Sequence, residues 1–218
     1  MISRAEALRY MGVHGEPDER LTALIDECET ELLAAACPRF VWRIFDIVRS
    51  EGEISLSGCD FSLIGIDIER HLEGCTKAAV TAATLSADAD RLLKRLQLSD
   101  GAKAVAADAL ASVLAEQTSE QARQAVSAEM TGYSATWCYA AGYGDFPLEQ
   151  AAQLLTAVDA SRKIGVICTS SNMMTPQKSI VGIVGLSEKP LDSRRRSCED
   201  CTMKETCRFR KDGLRCNM

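Results

Sequence analysis

The chain is poor in the residues that most often announce chemistry. Its 218 residues include only two histidines, His14 and His71. They lie far apart, and neither stands near a serine or cysteine motif, so a histidine-assisted nucleophile has no support. There is no Walker A pattern and no G-x-G-x-x-G; G-Y-G-D-F-P at 142–147 fails at the last glycine. No paired-carboxylate motif stands out from the acidic surface. No apolar run approaches the ~20 residues of a membrane span. Residues 1–11 carry charge at Arg4, Glu6 and Arg9 and lack the apolar stretch and cleavage site of a signal peptide. A net charge of −6 argues against nucleic acid as a partner. There is no internal repeat and no low-complexity segment. These absences leave a cytoplasmic chain of one large globular domain, or one domain with a short appendage.

What is present is a mixture of helical and strand patterns. Residues 21–33 place Leu21, Leu24, Ile25, Cys28 and Leu32 on one face, which predicts an amphipathic helix ended by Pro38. Residues 40–48, aromatic and β-branched, predict a strand that residues 53–56 pair with. Asp67 is placed to cap a short helix reaching Leu72. Residues 76–85 are small and apolar, and fit either a helix or a buried strand. Ser86 is placed to cap a helix running to Leu96. Residues 103–116 carry an alanine-rich stripe (Ala106, Ala109, Leu110, Val113, Leu114) that predicts a helix in close, backbone-near contact. A second helix is expected over 119–130 after a break.

Residues 133–145 form a glycine-punctuated loop, after which Pro147 suits a first helical turn with Asp145 as its cap. Residues 163–168 and 180–186 predict two strands. The polar loop 170–179 is too short for a helical crossover, so an antiparallel pair is expected. The fold class implied is α+β, with mixed helices packed on a twisted, largely antiparallel sheet and a small cysteine-rich C-terminal appendage.

Two loops merit chemical reading. In C-Y-A-A-G-Y-G-D-F-P-L-E, 138–149, Gly142 and Gly144 flank Tyr143. Glycine lets a ligand approach the backbone, and the tyrosine ring is suited to stack on an adenine or a sulfonium. The plainer reading is a turn leading into a helix. The second loop, T-S-S-N-M-M-T-P-Q-K-S-I-V-G at 169–182, joins the two expected strands. Polar loops at strand ends often line sites, whereas Met173 and Met174 equally suit gap-filling in a core.

In this order, the two segments resemble the reactivation domain of cobalamin-dependent methionine synthase. The family's first motif is an arginine, three residues, then Gly-Tyr; Ala140, Gly142 and Tyr143 match it. The second is Glu-Ser, then Met-x-Pro, then Ser-Val-x-Gly; here it reads Ser170-Ser171, Met174-Thr175-Pro176 and Ser179-Ile180-Val181-Gly182. A family helix pattern is matched by Asp108, Leu110, Ala111, Ala115 and Glu116, which makes Glu116 a candidate partner for a ligand ammonium. The resemblance is best over 102–185, and upstream it is to short stand-alone relatives. It implies S-adenosylmethionine binding by Glu116, Ala140, Gly142, Tyr143, Ser171 and Met174.

Two positions depart from the pattern. Cys138 stands where the family has arginine, and Ser170 where it has glutamate. A thiol cannot replace the fork of a guanidinium on a carboxylate. The loss of such a contact is worth ~2–5 kcal/mol.

Of ten cysteines, Cys28, Cys37, Cys59, Cys75, Cys138 and Cys168 are scattered, several in apolar surroundings. Cys198, Cys201, Cys207 and Cys216 crowd the end. Residues 189–218 hold nine Lys/Arg and five Asp/Glu, a local +4 that leaves −10 on the rest. That contrast divides the chain into an activation-like domain, 1–188, and a cysteine-rich basic tail, 189–218. Four thiolates satisfy tetrahedral zinc or an iron–sulfur cluster, and the spacing does not choose between them. The short relatives also carry a cysteine cluster with a basic end. The plainer reading is a reduced tail with solvated basic runs, or a docking patch for an acidic partner such as a flavodoxin or ferredoxin reductant.

The expected function is that of an activation subunit for a cobalamin-dependent methionine synthase, within methionine biosynthesis. It would hold S-adenosylmethionine as methyl donor and support reductive remethylation of cob(II)alamin on partner corrinoid-carrying subunits. The alternative is a metal- or iron–sulfur-bearing electron-transfer or interaction accessory protein with a decayed donor site.

Overall fold

The structure is a computed structural model and describes residues 1–13, 15–50, 52–191 and 205. The chain begins with α1 (Arg4–Tyr10) and α2 (Glu19–Ala35), then enters β1 (Arg39–Ser50), β2 (Glu53–Leu56) and β3 (Ser62–Leu63). Next come α3 (Ile66–His71), β4 (Lys77–Thr84), α4 (Ala87–Ser99) and α5 (Gly101–Glu129). Two short strands, β5 (Ser134–Ala135) and β6 (Tyr139–Ala140), precede a 3-10 turn at Leu148–Gln150, α6 (Ala151–Ala157) and α7 (Ala160–Ile164). The last strands are β7 (Ile167–Cys168), β8 (Met174–Thr175) and β9 (Ser179–Ser187). The class is α+β, with a largely antiparallel sheet, as the sequence implies.

The main sheet runs β3-β2-β1-β4-β9-β5, and β6 also pairs with β9. Its centre is an eight-residue antiparallel ladder from Lys77↔Leu186 to Thr84↔Ser179. The strand period of two sends Ala78, Val80 and Ala82 to one face, with Val181 and Ile183, beneath α6 and α7. Ala79 and Val184 take the other face, packed with Val126 of α5. β4 is buried on both faces, so it shows no alternation, which is why its sequence fits helix and strand alike.

The 29 residues of α5 form the axis of the helical layer. It packs on β4, β1 and β9 from one side and receives α1, α2 and α4 on the other. Asp100 caps it by accepting from the backbone N–H of Ala102 and Lys103 at 3.0 and 3.1 Å. The helix expected to break near 117–119 is continuous. Thr118 stays in register by donating its hydroxyl to Leu114 O at 2.7 Å, and neither Gly nor Pro interrupts the stretch.

Other local expectations are corrected by long-range contacts. The residues expected as strands at 163–168 and 180–186 do not pair with each other. Lys163 belongs to α7; β7 instead pairs with β8 as a local hairpin, and β9 pairs with β4, β5 and β6. Ser86 precedes α4 but makes no side-chain cap. Asp67 does not cap α3; Asp145 takes that role from 78 residues away, and so does not cap the turn after Pro147. β9 ends at Ser187, and Cys198, Cys201, Cys207 and Cys216 of the expected appendage lie outside the described residues, as does His14. Among the described residues, no helix is long and apolar enough to cross a membrane.

Gly182 shows how tightly β6 lies against the sheet. A Cβ there would come within 2.5 Å of Tyr139 O and 2.9 Å of Ala140 Cα, both backbone atoms. Gly182→Ala is expected to destabilise by about 1–3 kcal/mol and lower the melting midpoint by about 3–10 °C. At Gly101 a Cβ meets nothing within 4 Å, so Gly101→Ala should leave the midpoint unchanged or slightly raised. Equal thermal melts for the two variants would contradict this packing.

Candidate functional site

The G-Y-G loop is built by short local bonds. Gly142 N–H donates to Phe146 O at 2.9 Å, Phe146 N–H to Tyr143 O at 2.9 Å, and Ala141 N–H to Val181 O of β9 at 3.1 Å. Gly142 and Gly144 both have positive φ, 91° and 53°, which glycine adopts without strain. A Cβ at Gly144 would lie 2.5 Å from Tyr139 Oη and closer still to Asp67 Oδ2, so those side-chain ends would have to move aside. Asp145 fastens the loop to α3: its Oδ2 accepts from Ile66 N–H at 2.7 Å and its Oδ1 from Asp67 N–H at 2.9 Å. Asp67 returns the bond by accepting from Asp145 N–H at 3.3 Å.

An aromatic cluster backs the loop. Trp137 and Tyr139 lie 4.9 Å apart by ring centroids, and His71 sits 4.7 Å from the first and 5.0 Å from the second. Tyr143 meets Tyr139 edge-on at 6.2 Å. His71 is half-buried among these rings, with Thr136 Oγ1 2.8 Å from its Nε2.

The helical layer supplies the polar side. Glu116, on α5, accepts a short hydrogen bond from the hydroxyl of Tyr10 at the end of α1. Burial, then the hydrogen bond and charge of Glu116, push the Tyr10 phenol above its ordinary value, and Tyr143 adds to the shift. Glu116 and Tyr10 thus meet although they are 106 residues apart, and Tyr143 is near enough to act on the Tyr10 phenol. The Arg9 guanidinium lies 4.8 Å over the Tyr10 ring. Further along the same face of α5, at i+4 and i+7 from Glu116, stand Glu120 and Arg123. Arg123 Nε and Nη2 donate to Glu120 at 2.8 and 2.6 Å. That hydrogen bond holds the Glu120 carboxyl below the usual range.

Of the sequence-predicted residues, Gly142 and Tyr143 form the G-Y-G loop, and Glu116 lies on α5 with Tyr10. Ala140 lies in β6 opposite Gly182. Ser171 and Met174 lie on the neighbouring β7–β8 hairpin. The Ser171 hydroxyl is 3.0 Å from Thr169 Oγ1, and Met174 packs with the core cluster that includes Ala141 and Leu148. Gap-filling thus applies to Met174, while Met173 is exposed. Tyr10 and Arg9 were invisible in the sequence, where no motif marks them.

Comparison with protein-family models and with curated proteins returns no match. Among solved structures, the MetH reactivation domain bound to AdoHcy superposes with a TM-score of 0.62 at 16% identity, over 98% of this chain and 82% of that one. The chain has the fold of that reactivation domain. The likeness extends over the α1–α2 region as well as the loops that carry the sequence resemblance.

The Tyr10–Glu116 contact has a pH signature. A phenol raised above its unfolded value contributes stability that is fully present below about pH 10 and is lost as pH rises through the folded value. A near-ultraviolet absorbance titration, differenced against Tyr10→Phe, should show one phenol ionising later than free tyrosine. Glu116→Gln should bring it part of the way down, because burial is the larger cause. A Tyr10 phenol that ionises at the free value would mean the contact is not made in solution.

Proposed function

We propose that this protein binds S-adenosylmethionine beside the G-Y-G loop and presents its methyl group to a corrinoid on a partner methyltransferase. The observation that carries the reading is the Tyr10–Glu116 hydrogen bond on the helical layer, with Tyr143 of the G-Y-G loop near enough to act on the Tyr10 phenol, in a chain whose fold is that of a domain solved with AdoHcy. Tyr143, 40% exposed and steadied by Tyr139, is suited to stack on the adenine or face the sulfonium. Gly142 and Ala140 let the donor lie close to the backbone. Glu116 offers a carboxylate to the donor's ammonium, while Ser171 and Met174 form the outer wall.

The chemistry served is a reductive methylation. Cob(II)alamin on the partner takes one electron from a separate reductant. Its cobalt electron pair then forms the cobalt–carbon bond as the sulfonium–methyl bond breaks, and S-adenosylhomocysteine leaves. This chain's contribution is placement: it holds the sulfonium in line with a cobalt it does not keep, and such orientation is worth several kcal/mol of a barrier. Corrinoid-carrying methionine synthase subunits in the cytoplasm are the proposed partners. A flavodoxin or ferredoxin is the proposed reductant. The tail from 189, with Cys198, Cys201, Cys207 and Cys216, is proposed as a separate metal or cluster segment, and no step is routed through it.

Cys138 in place of the family's arginine favours a second reading, an accessory electron-transfer or interaction protein with a decayed donor site. The test separates the two. The protein is mixed with a cob(II)alamin-loaded methyltransferase, S-adenosylmethionine and titanium(III) citrate, and the methylcobalamin absorbance is followed. The donor reading expects recovery that requires the protein and falls about tenfold in Tyr143→Ala, the worth of one stacking contact. No recovery, together with no saturable binding of S-adenosylhomocysteine up to millimolar, would leave the accessory reading.

A further inference from the structure

Cys138 leaves a donor site without the fork that would hold a ligand carboxylate, and the structure offers a replacement. We propose that Arg123 of α5 supplies that guanidinium, gripping the α-carboxylate of an amino-acid ligand end, here the methionyl end of S-adenosylmethionine; this rests on the donor-binding reading above. The Cys138 side chain faces the helical layer, with its Sγ 3.4 Å from Thr81 Oγ1, and it packs in one cluster with Val126 of α5. Arg123 lies three residues before Val126, hence on the same side of the helix. A thiolate at Cys138 would act on the Arg123 guanidinium, raising it further. An arginine at 138 would start from the sheet side of the cluster that Val126 joins from the helix.

The surroundings fit an amino-acid zwitterion. Arg123 carries five N–H donors in a planar fork. Glu120 engages Nε and Nη2, which leaves the Nη1 edge to another acceptor. Glu120 and Glu116, one helical turn apart on that face, present carboxylates toward an ammonium. The Arg123 side chain is 26% exposed, so it is held in place and still reachable. Small residues keep the opposite wall low: Thr81 pairs with Gly182, and Gly182 with Ala140.

The test is titration calorimetry of the full chain with two probes, S-adenosylhomocysteine and 5′-methylthioadenosine, which lacks the amino-acid end. Arg123→Ala should weaken S-adenosylhomocysteine by about 10–100-fold, the worth of a charge-assisted pair, and leave 5′-methylthioadenosine unchanged. Arg123→Lys, which keeps the charge and loses the fork, should fall between. Cys138→Arg added to Arg123→Ala should restore most of the loss, because it returns a guanidinium from the facing wall. Arg123→Ala that binds S-adenosylhomocysteine as tightly as the parent would overturn the assignment, as would equal weakening of both probes. A parent chain that binds neither probe would overturn the donor-site reading itself, and the role of Arg123 with it.

Discussion

The close seating of α5 on the β4–β9 ladder governs what else this fold can do. Buried alanines run along the helix: Ala106, Ala107, Ala111 and Ala115 pack with α1, α2 and α4, while on the sheet side Val126 meets Ala79 and Val184, beside Thr81 and Gly182. Small residues on both sides let backbones approach, and every added methylene would force them apart. Because the layers are this near, the side chains that border them decide the shape of the gap. Where Gly182 has no Cβ, β6 can lie on β9, and the start of the G-Y-G loop is held against the sheet centre.

A second constraint fixes the loop itself. Asp145 holds the start of α3 through two backbone N–H groups, and Asp67 accepts from Asp145 in return. A carboxylate at a helix start satisfies donors that otherwise lack partners. Here it also sets the height of Tyr143, because the Tyr143–Phe146 bond allows the loop little independent movement. Tyr139 and the rings around it then support Tyr143.

What the sequence made legible follows from this arrangement. α2, β1 and the β1–β2 pair could be read because each rests on local periodicity or a tight turn. The glycine loop could be read because Gly142 and Gly144 mark backbone geometry directly. β4 could not be decided, since burial on both faces erases the period that separates strand from helix. The pairing of β7 with β8 was missed because a hairpin turn at 169–173 competes with β4 for partners, and β4 takes β9. Motif resemblance points to Glu116, Gly142 and Tyr143 as site residues, whereas Tyr10 and the cap by Asp145 depend on contacts across 106 and 78 residues. No window of sequence contains them.

The charge pattern of α5 gives the departure at Cys138 a physical sense. A guanidinium projecting from a two-residue strand such as β6 would need its own partners to stay in one rotamer. Arg123 projects from a 29-residue helix and is clamped through two bonds by Glu120, so less side-chain freedom remains to be lost when a ligand binds. Two arginines in the same gap would repel, and a small thiol beside Thr81 avoids that while filling the space under β6. On the proposed reading, the thiol at 138 and the ion pair on α5 are compatible: the residue before β6 gives up the charge and the helix carries it.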